Sequence, residues 1–282
     1  MNGSVFSKRG LAAAVIAIAC CPMGGCGSDT SGSGAGGGSA SSNPVPDTFI
    51  LVHGAWSGAW TWDPVAAGLK ENGKAVTTVE LPSHGADMTP PNGATLDAYA
   101  AKVSAAVDAA DGPVTLVGHS MAGVVITEVA EQKPDTIAKL VYLAAFVPED
   151  GQTLLALAGT DADSHLGPAL KVDQMAGTAA VPLDELADIF CADCSEDALA
   201  ALTSHYRDEP LAPFATPVHA SAANWGRVAK YYIYTKQDHA ISPSLQVTMT
   251  KNVTFESQAT LDTSHEPFLS QPGLVVSTLL GF

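Results

Sequence analysis

Apolar residues fall along this chain in short unbroken blocks separated by longer amphipathic stretches. Thr48 to Val52 is a continuous β-rich run that ends at His53-Gly54, as a buried strand entering a loop would. A helical segment follows, with Ser57 placed to cap it, Trp60, Val65 and Leu69 on one face, and Gly73 suited to its end. Ala75 to Leu81 reads as a strand, Leu96 to Ala110 as an Ala-rich helix and Val114 to Val117 as another buried strand. A helix starts just after Ser120, and Ile137 to Ala144 is again a strand. Strands without polar alternation, separated by helices, predict an α/β fold whose mostly parallel sheet is flanked by helices on both faces.

Beyond Phe146 the pattern changes. From about 148 to 226 no strong strand is legible, prolines are scattered, and the helical stretches (Leu183 to Phe190, Asp197 to Tyr206) are modest, which predicts a helical cap inserted between strands. The sheet resumes at Ala229 to Tyr234 and, after a helix near Ser242 to Lys251, at Val253 to Ala259, before a terminal helix. No fixed-period repeat supports a solenoid or propeller.

The N-terminal region reads differently again. Lys8 and Arg9 precede an apolar run, Leu11 to Cys21, that is too short to span a bilayer and reads as a signal-peptide core. Gly24 and Gly25 before Cys26 resemble the lipobox of bacterial lipoproteins, with Met23 where such boxes usually carry Leu; cleavage without lipidation is the alternative. Either way the protein is expected to be exported, to the bacterial periplasm or cell surface, lipid-anchored at Cys26 or else secreted. Residues 1–26 are thus assigned to the signal peptide, 27–46 to a Gly/Ser-rich tether with little to bury, and 47–282 to the folded domain.

Only 15% of the residues are charged and 46% are hydrophobic, enough to build a large core. The formal charge of −16 leaves no basic surface for phosphates, so nucleic acid is excluded as a partner and a neutral small-molecule substrate fits better. Of the five cysteines only Cys191 and Cys194 lie in the body; in an oxidising compartment they could close a local disulfide, and a zinc half-site is the weaker reading because no second pair or suitably spaced His follows.

Candidate chemistry centres on Gly118-His119-Ser120-Met121-Ala122-Gly123, between a buried strand and a helix, the context of a nucleophile elbow with Ser120 at its apex. Ala122 stands where G-x-S-x-G carries its second glycine. A serine hydroxyl needs a base and an acid that orients the base. Asp238 follows the strand ending at Tyr234, and His265 follows the next strand, giving the chain order Ser, Asp, His. Two backbone donors for an oxyanion are expected at Ala55, in the loop after the first strand, and at Met121. No metal or cofactor is called for.

Among rivals, His53, His84 and His119 read as structural or wall residues, His239 as pointing elsewhere, and Asp262 as lying on the loop before the histidine. Glu149 and Asp150 follow an earlier strand, where some hydrolases place the acid. Trp56, Trp60 and Trp62 read as core or pocket wall.

The strings LVHGAWSGAWTW, ELPSHGAD, LVGHSMAG, VYLAAFVPEDG, YIYTKQDHAISPSLQ and TSHEPFLSQP resemble the α/β-hydrolase branch of plant hydroxynitrile lyases, methyl-salicylate-type methylesterases and bacterial relatives. The similarity runs from about Thr48 to Phe282 and is weakest through the cap. It implies an α/β-hydrolase fold and a cofactor-free site beneath the cap, with Ser120, Asp238 and His265 as triad and Ala55 and Met121 as oxyanion donors. Hydrolysis of a small, largely apolar ester through an acyl-enzyme is the activity expected. The alternatives are a cyanohydrin-cleaving lyase and a non-catalytic ligand-binding lipoprotein of the same fold. Lyases of this branch resemble one another in a Lys directly after the histidine; here that position is Glu266.

Overall fold

The computed structural model describes Thr48–Phe282; the signal peptide, Cys26 and the tether lie outside the described residues. The first half alternates strand and helix: β1 (Thr48–Val52), α1 (Asp63–Glu71), β2 (Ala75–Val79), α2 (Leu96–Asp108), β3 (Val114–His119), α3 (Ala122–Gln132) and β4 (Ile137–Leu143). The cap contributes α4 (Leu154–Ala158), α5 (Leu166–Ala169), β5 (Lys171–Asp173), β6 (Thr178–Ala180), α6 (Leu186–Phe190), α7 (Glu196–His205), β7 (Glu209–Pro210) and α8 (Ala212–Ala215). The chain then returns through β8 (Lys230–Thr235), α9 (Pro243–Thr250), β9 (Ser257–Leu261), α10 (Pro267–Ser270) and α11 (Pro272–Gly281).

Six strands form one parallel sheet in the order β2-β1-β3-β4-β8-β9. Successive residues of β1 enter different cores: Ile50 and Val52 pack on the side of α2 and α3, Phe49 and Leu51 on the side of α1 and α11. Two-sided burial is why the strand shows no polar alternation. Parallel strands all end at one edge of the sheet, so the loops after β1, β3, β8 and β9 gather there, beneath the cap.

Three expectations need correction. Ser57 caps nothing: it is buried, a 3₁₀ turn at Ala59–Trp62 comes first, and α1 starts at Asp63 with Pro64 in its first turn, where a missing N–H is harmless. The last strand begins at Ser257, not Val253, because Val253 and Phe255 lean on the core from a loop without pairing. The cap is not wholly helical, since β5, β6 and β7 form a small antiparallel sheet. Strands of two or three residues are too short to display a period of two.

Candidate active site

Ser120 sits between β3 and α3 with a φ of 54°, in the left-handed region that a side chain adopts only under constraint. The constraint is local. Ser120 N–H donates to the Leu143 carbonyl (3.3 Å), and the Ser120 carbonyl accepts from Gly123 N–H (3.0 Å) and Phe146 N–H (3.2 Å). A Cβ on Gly118 would stand 2.9 Å from the Ala122 carbonyl, and one on Gly123 only 2.1 Å from the Phe146 carbonyl. The close approach that needs glycine is therefore at Gly123, which explains why Ala122 is tolerated one position earlier. The Ser120 side chain opens on a cavity, and among the described residues its hydroxyl has no hydrogen-bond partner.

His265, in the loop after β9, is 1% exposed, and its Nδ1 lies 2.8 Å from Asp238 Oδ2. Asp238 is itself buried and saturated. Oδ2 also accepts from Thr235 Oγ1 (2.7 Å) and Gln246 Nε2 (3.1 Å), while Oδ1 accepts from the N–H groups of Ala240 (2.9 Å) and Ile241 (2.8 Å). Burial disfavours a charge on His265, but the Asp238 carboxylate outweighs it and holds the imidazole above its ordinary value. His119 braces the same loop: its Nε2 bonds the His265 carbonyl (2.9 Å), and the two rings stand 4.5 Å apart. Burial, with His265 beside it, lowers the His119 pKa well below the usual value, so this ring is neutral.

Glu266, directly after His265, is 3% exposed, and its Oε2 has no partner among the described residues. Burial pushes its carboxyl up to about 7. At neutral pH it is divided between a neutral and an anionic form, and it supplies no positive charge in either.

The loop after β1 faces Ser120 closely. A Cβ on Gly54 would lie 2.9 Å from Ser120 Cβ. The N–H groups of Ala55 and Met121 have no acceptor among the described residues, whereas Trp56 N–H donates to Glu209 Oε2 (3.0 Å). Glu209, fully buried in β7 of the cap, also takes His84 Nε2 (2.7 Å) and the Tyr99 hydroxyl (3.2 Å). Burial works against a charged His84, yet Glu209 raises its pKa, so the two form a buried ion pair. Trp56 carries a φ of 56° and sends its indole N–H to the Ala179 carbonyl of β6 (2.8 Å). The cap thus holds the residue next to Ala55 at two points.

The cavity beside Ser120, about 210 Å³, is walled by Trp56, Phe146, Leu154, Leu166, Leu170 and Phe214. Most of this wall comes from the cap.

The family model of the α/β hydrolases ("Alpha/beta hydrolase family") matches residues 49–278. The chain belongs to that family. The chain is 32% identical over 244 residues to the Arabidopsis thaliana protein named "Putative methylesterase 11, chloroplastic", over 82% of its own length and 63% of the plant protein's, so it spans less than two thirds of that relative. It is 39% identical over 140 residues to a carbendazim hydrolyzing esterase of Nocardioides sp., covering 49% of this chain and 56% of the other. The crystal structure of polyneuridine aldehyde esterase superposes with a TM-score of 0.75 at 22% identity, over 84% of this chain and 99% of that one, which shows a shared fold. The resemblance to the methylesterase branch is borne out.

The rival residues lie apart from the Asp238–His265 pair. Glu149 and Asp150 are exposed, Asp262 is exposed and takes the Gln237 amide (3.2 Å), and His239 turns to Asp188. His53 is buried, accepts Leu81 N–H on Nε2 (3.1 Å) and is kept neutral by burial, so it ties the loop after β1 to the end of β2 rather than pairing with Glu80. Trp56 is pocket wall, Trp60 stacks on His205, and Trp62 lies in the core against Phe268. Cys191 and Cys194 are joined as a disulfide. Glu209 and Tyr99 were not among the expected site residues. No motif announces a carboxylate 125 residues from the His84 it pairs with.

Proposed function

We propose that this hydrolase cleaves small, largely apolar carboxylic esters through an acyl-enzyme formed on Ser120. The observation that carries the reading is a serine held at positive φ on the wall of an apolar cavity, with a buried imidazole already oriented by a saturated carboxylate. His265 Nε2 accepts the serine proton as Oγ attacks the ester carbonyl, and the oxyanion forms against the free N–H groups of Ala55 and Met121. Asp238 keeps the Nδ1 proton in place and stabilises the imidazolium. His265 then protonates the departing alcohol, and water activated by the same ring releases the acid. No Ser120–His265 hydrogen bond is present among the described residues, so this reading requires the two side chains to come within bonding distance when the ester is bound. The relatives named as esterases support the activity; they do not define the acyl or alcohol group.

A cyanohydrin lyase is the second reading, and Glu266 weighs against it. Its anionic form would oppose the charge of departing cyanide, and in neither form does it supply the positive charge that a lysine there would. The full chain should hydrolyse p-nitrophenyl esters of short acyl length, react with a fluorophosphonate, and release no cyanide from mandelonitrile above the uncatalysed rate. Ser120→Ala should lose both hydrolysis and labelling with an unchanged circular dichroism spectrum. A flat ester panel would favour a binding protein, and labelling that persists in the variant would move the nucleophile elsewhere.

A further inference from the structure

Outside the ester site, three metal-ligating side chains from separate segments meet at the junction of cap and sheet. His165 precedes α5, Asp188 lies in α6, and His239 follows β8; they are 23 and 51 residues apart in sequence, beyond any spacing motif. His165 Nδ1 is 2.6 Å from Asp188 Oδ2, His239 Nδ1 is 3.1 Å from Asp188 Oδ1, and the two imidazole rings are 4.3 Å apart. One ligand atom from each residue falls within 4.8 Å of the other two.

We infer that His165, Asp188 and His239 bind a divalent transition-metal ion, zinc being the ion this donor set suits. Tetrahedral zinc with nitrogen and oxygen ligands at about 2.0–2.2 Å holds those ligands roughly 3.3 Å apart, so small rotamer shifts convert the observed cluster into a coordination sphere. Two imidazoles and one carboxylate select zinc, copper or nickel over magnesium and calcium, which prefer all-oxygen sites. The frame is already built: His165 N–H donates to the His239 carbonyl (2.8 Å), and Ser164 Oγ donates to the Ala240 carbonyl (2.8 Å). Each imidazole coordinates as the neutral tautomer through Nδ1, its proton residing on Nε2, and water completes the sphere. All three side chains are open to solvent, at 51%, 51% and 38% exposure, so an ion can reach them. A bound ion joins two cap segments to the loop that carries Asp238.

Calorimetric titration of the EDTA-stripped full chain with zinc chloride tests this. One zinc per chain is expected, with a rise in melting temperature on binding. His165→Gln and Asp188→Asn should each weaken binding at least about tenfold and remove the thermal shift, with the circular dichroism spectrum unchanged. No zinc uptake would overturn the site. So would uptake of equal affinity in both variants, which would place the ion on other ligands, and so would displacement of zinc by an equal concentration of magnesium.

Discussion

The sheet edge and the cap meet at one cavity but are built on opposite principles. At the ends of β3 and β8 and in the loop after β9, each candidate catalytic residue is fixed by backbone or buried side-chain bonds; Asp238 alone accepts five. The cap opposite is made of short elements, walls the cavity with leucines, and leaves Leu155, Val172, Met175 and Leu183 in solvent. A saturated polar site tolerates little change, whereas an apolar wall can be rebuilt one methylene at a time at modest cost. On the proposed reading the chemistry is therefore a property of the sheet, and the fit to a particular ester is a property of the cap.

The sharpest test of the sheet side is Asp238→Asn. It should lower kcat by roughly 10³-fold or more, because the imidazolium loses its counter-charge and the ring its correct tautomer. Ester kinetics with a parallel melting curve would check it, and a mild loss would shift the orienting acid elsewhere. Glu209 is the place where the division could break, since it belongs to the cap yet steadies the loop that offers Ala55. Glu209→Gln should reduce kcat by about tenfold with KM little altered, the mark of a group that positions an oxyanion donor. A rise in KM alone would make Glu209 an ordinary cap residue. Leu166→Ala should act the other way, shifting preference toward longer acyl chains several-fold at about 0.8 kcal/mol per buried CH₂, with the best substrate's kcat nearly kept.

The smallest effect concerns pH. His265 must be neutral to accept the serine proton, so the rate should fall as pH drops through its pKa, which Asp238 holds above 6.5. The Glu266 anion adds to that elevation. Glu266→Gln removes it, so the acid limb of kcat/KM should move to lower pH; a limb that stays put would show that Glu266 does not couple to the base.

What could be seen in the sequence was whatever the chain encodes locally. β1, β3 and β4 announce themselves because two-sided burial demands continuous apolar runs, and Ser120 and Asp238 because each follows an apolar run closely; His265 was legible through its place after Asp238 in the chain order. β9 was misplaced because an edge strand, Ser257–Leu261, buries little beyond Leu261. Glu209 was silent because its role arises only when α2, the loop after β2 and the cap come together. The cluster of His165, Asp188 and His239 was invisible for the same reason.

The double hold on Trp56 bears on how molecules come and go. To swing the cap away at that end, Glu209 would have to leave three donors and the indole its carbonyl, in a place too dry for water to replace them. Breaking a buried charge pair of this kind costs about 3–5 kcal/mol, too much to spend on every turnover. Leu155, Gly159 and Leu166, in and around α4 and α5, line the same cavity without sharing in that hold, and Leu155 is half exposed. A cap pinned at that end keeps the girth of the cavity fixed, so on the proposed reading a slender ester and a branched one of equal polarity should differ first in how well they fit.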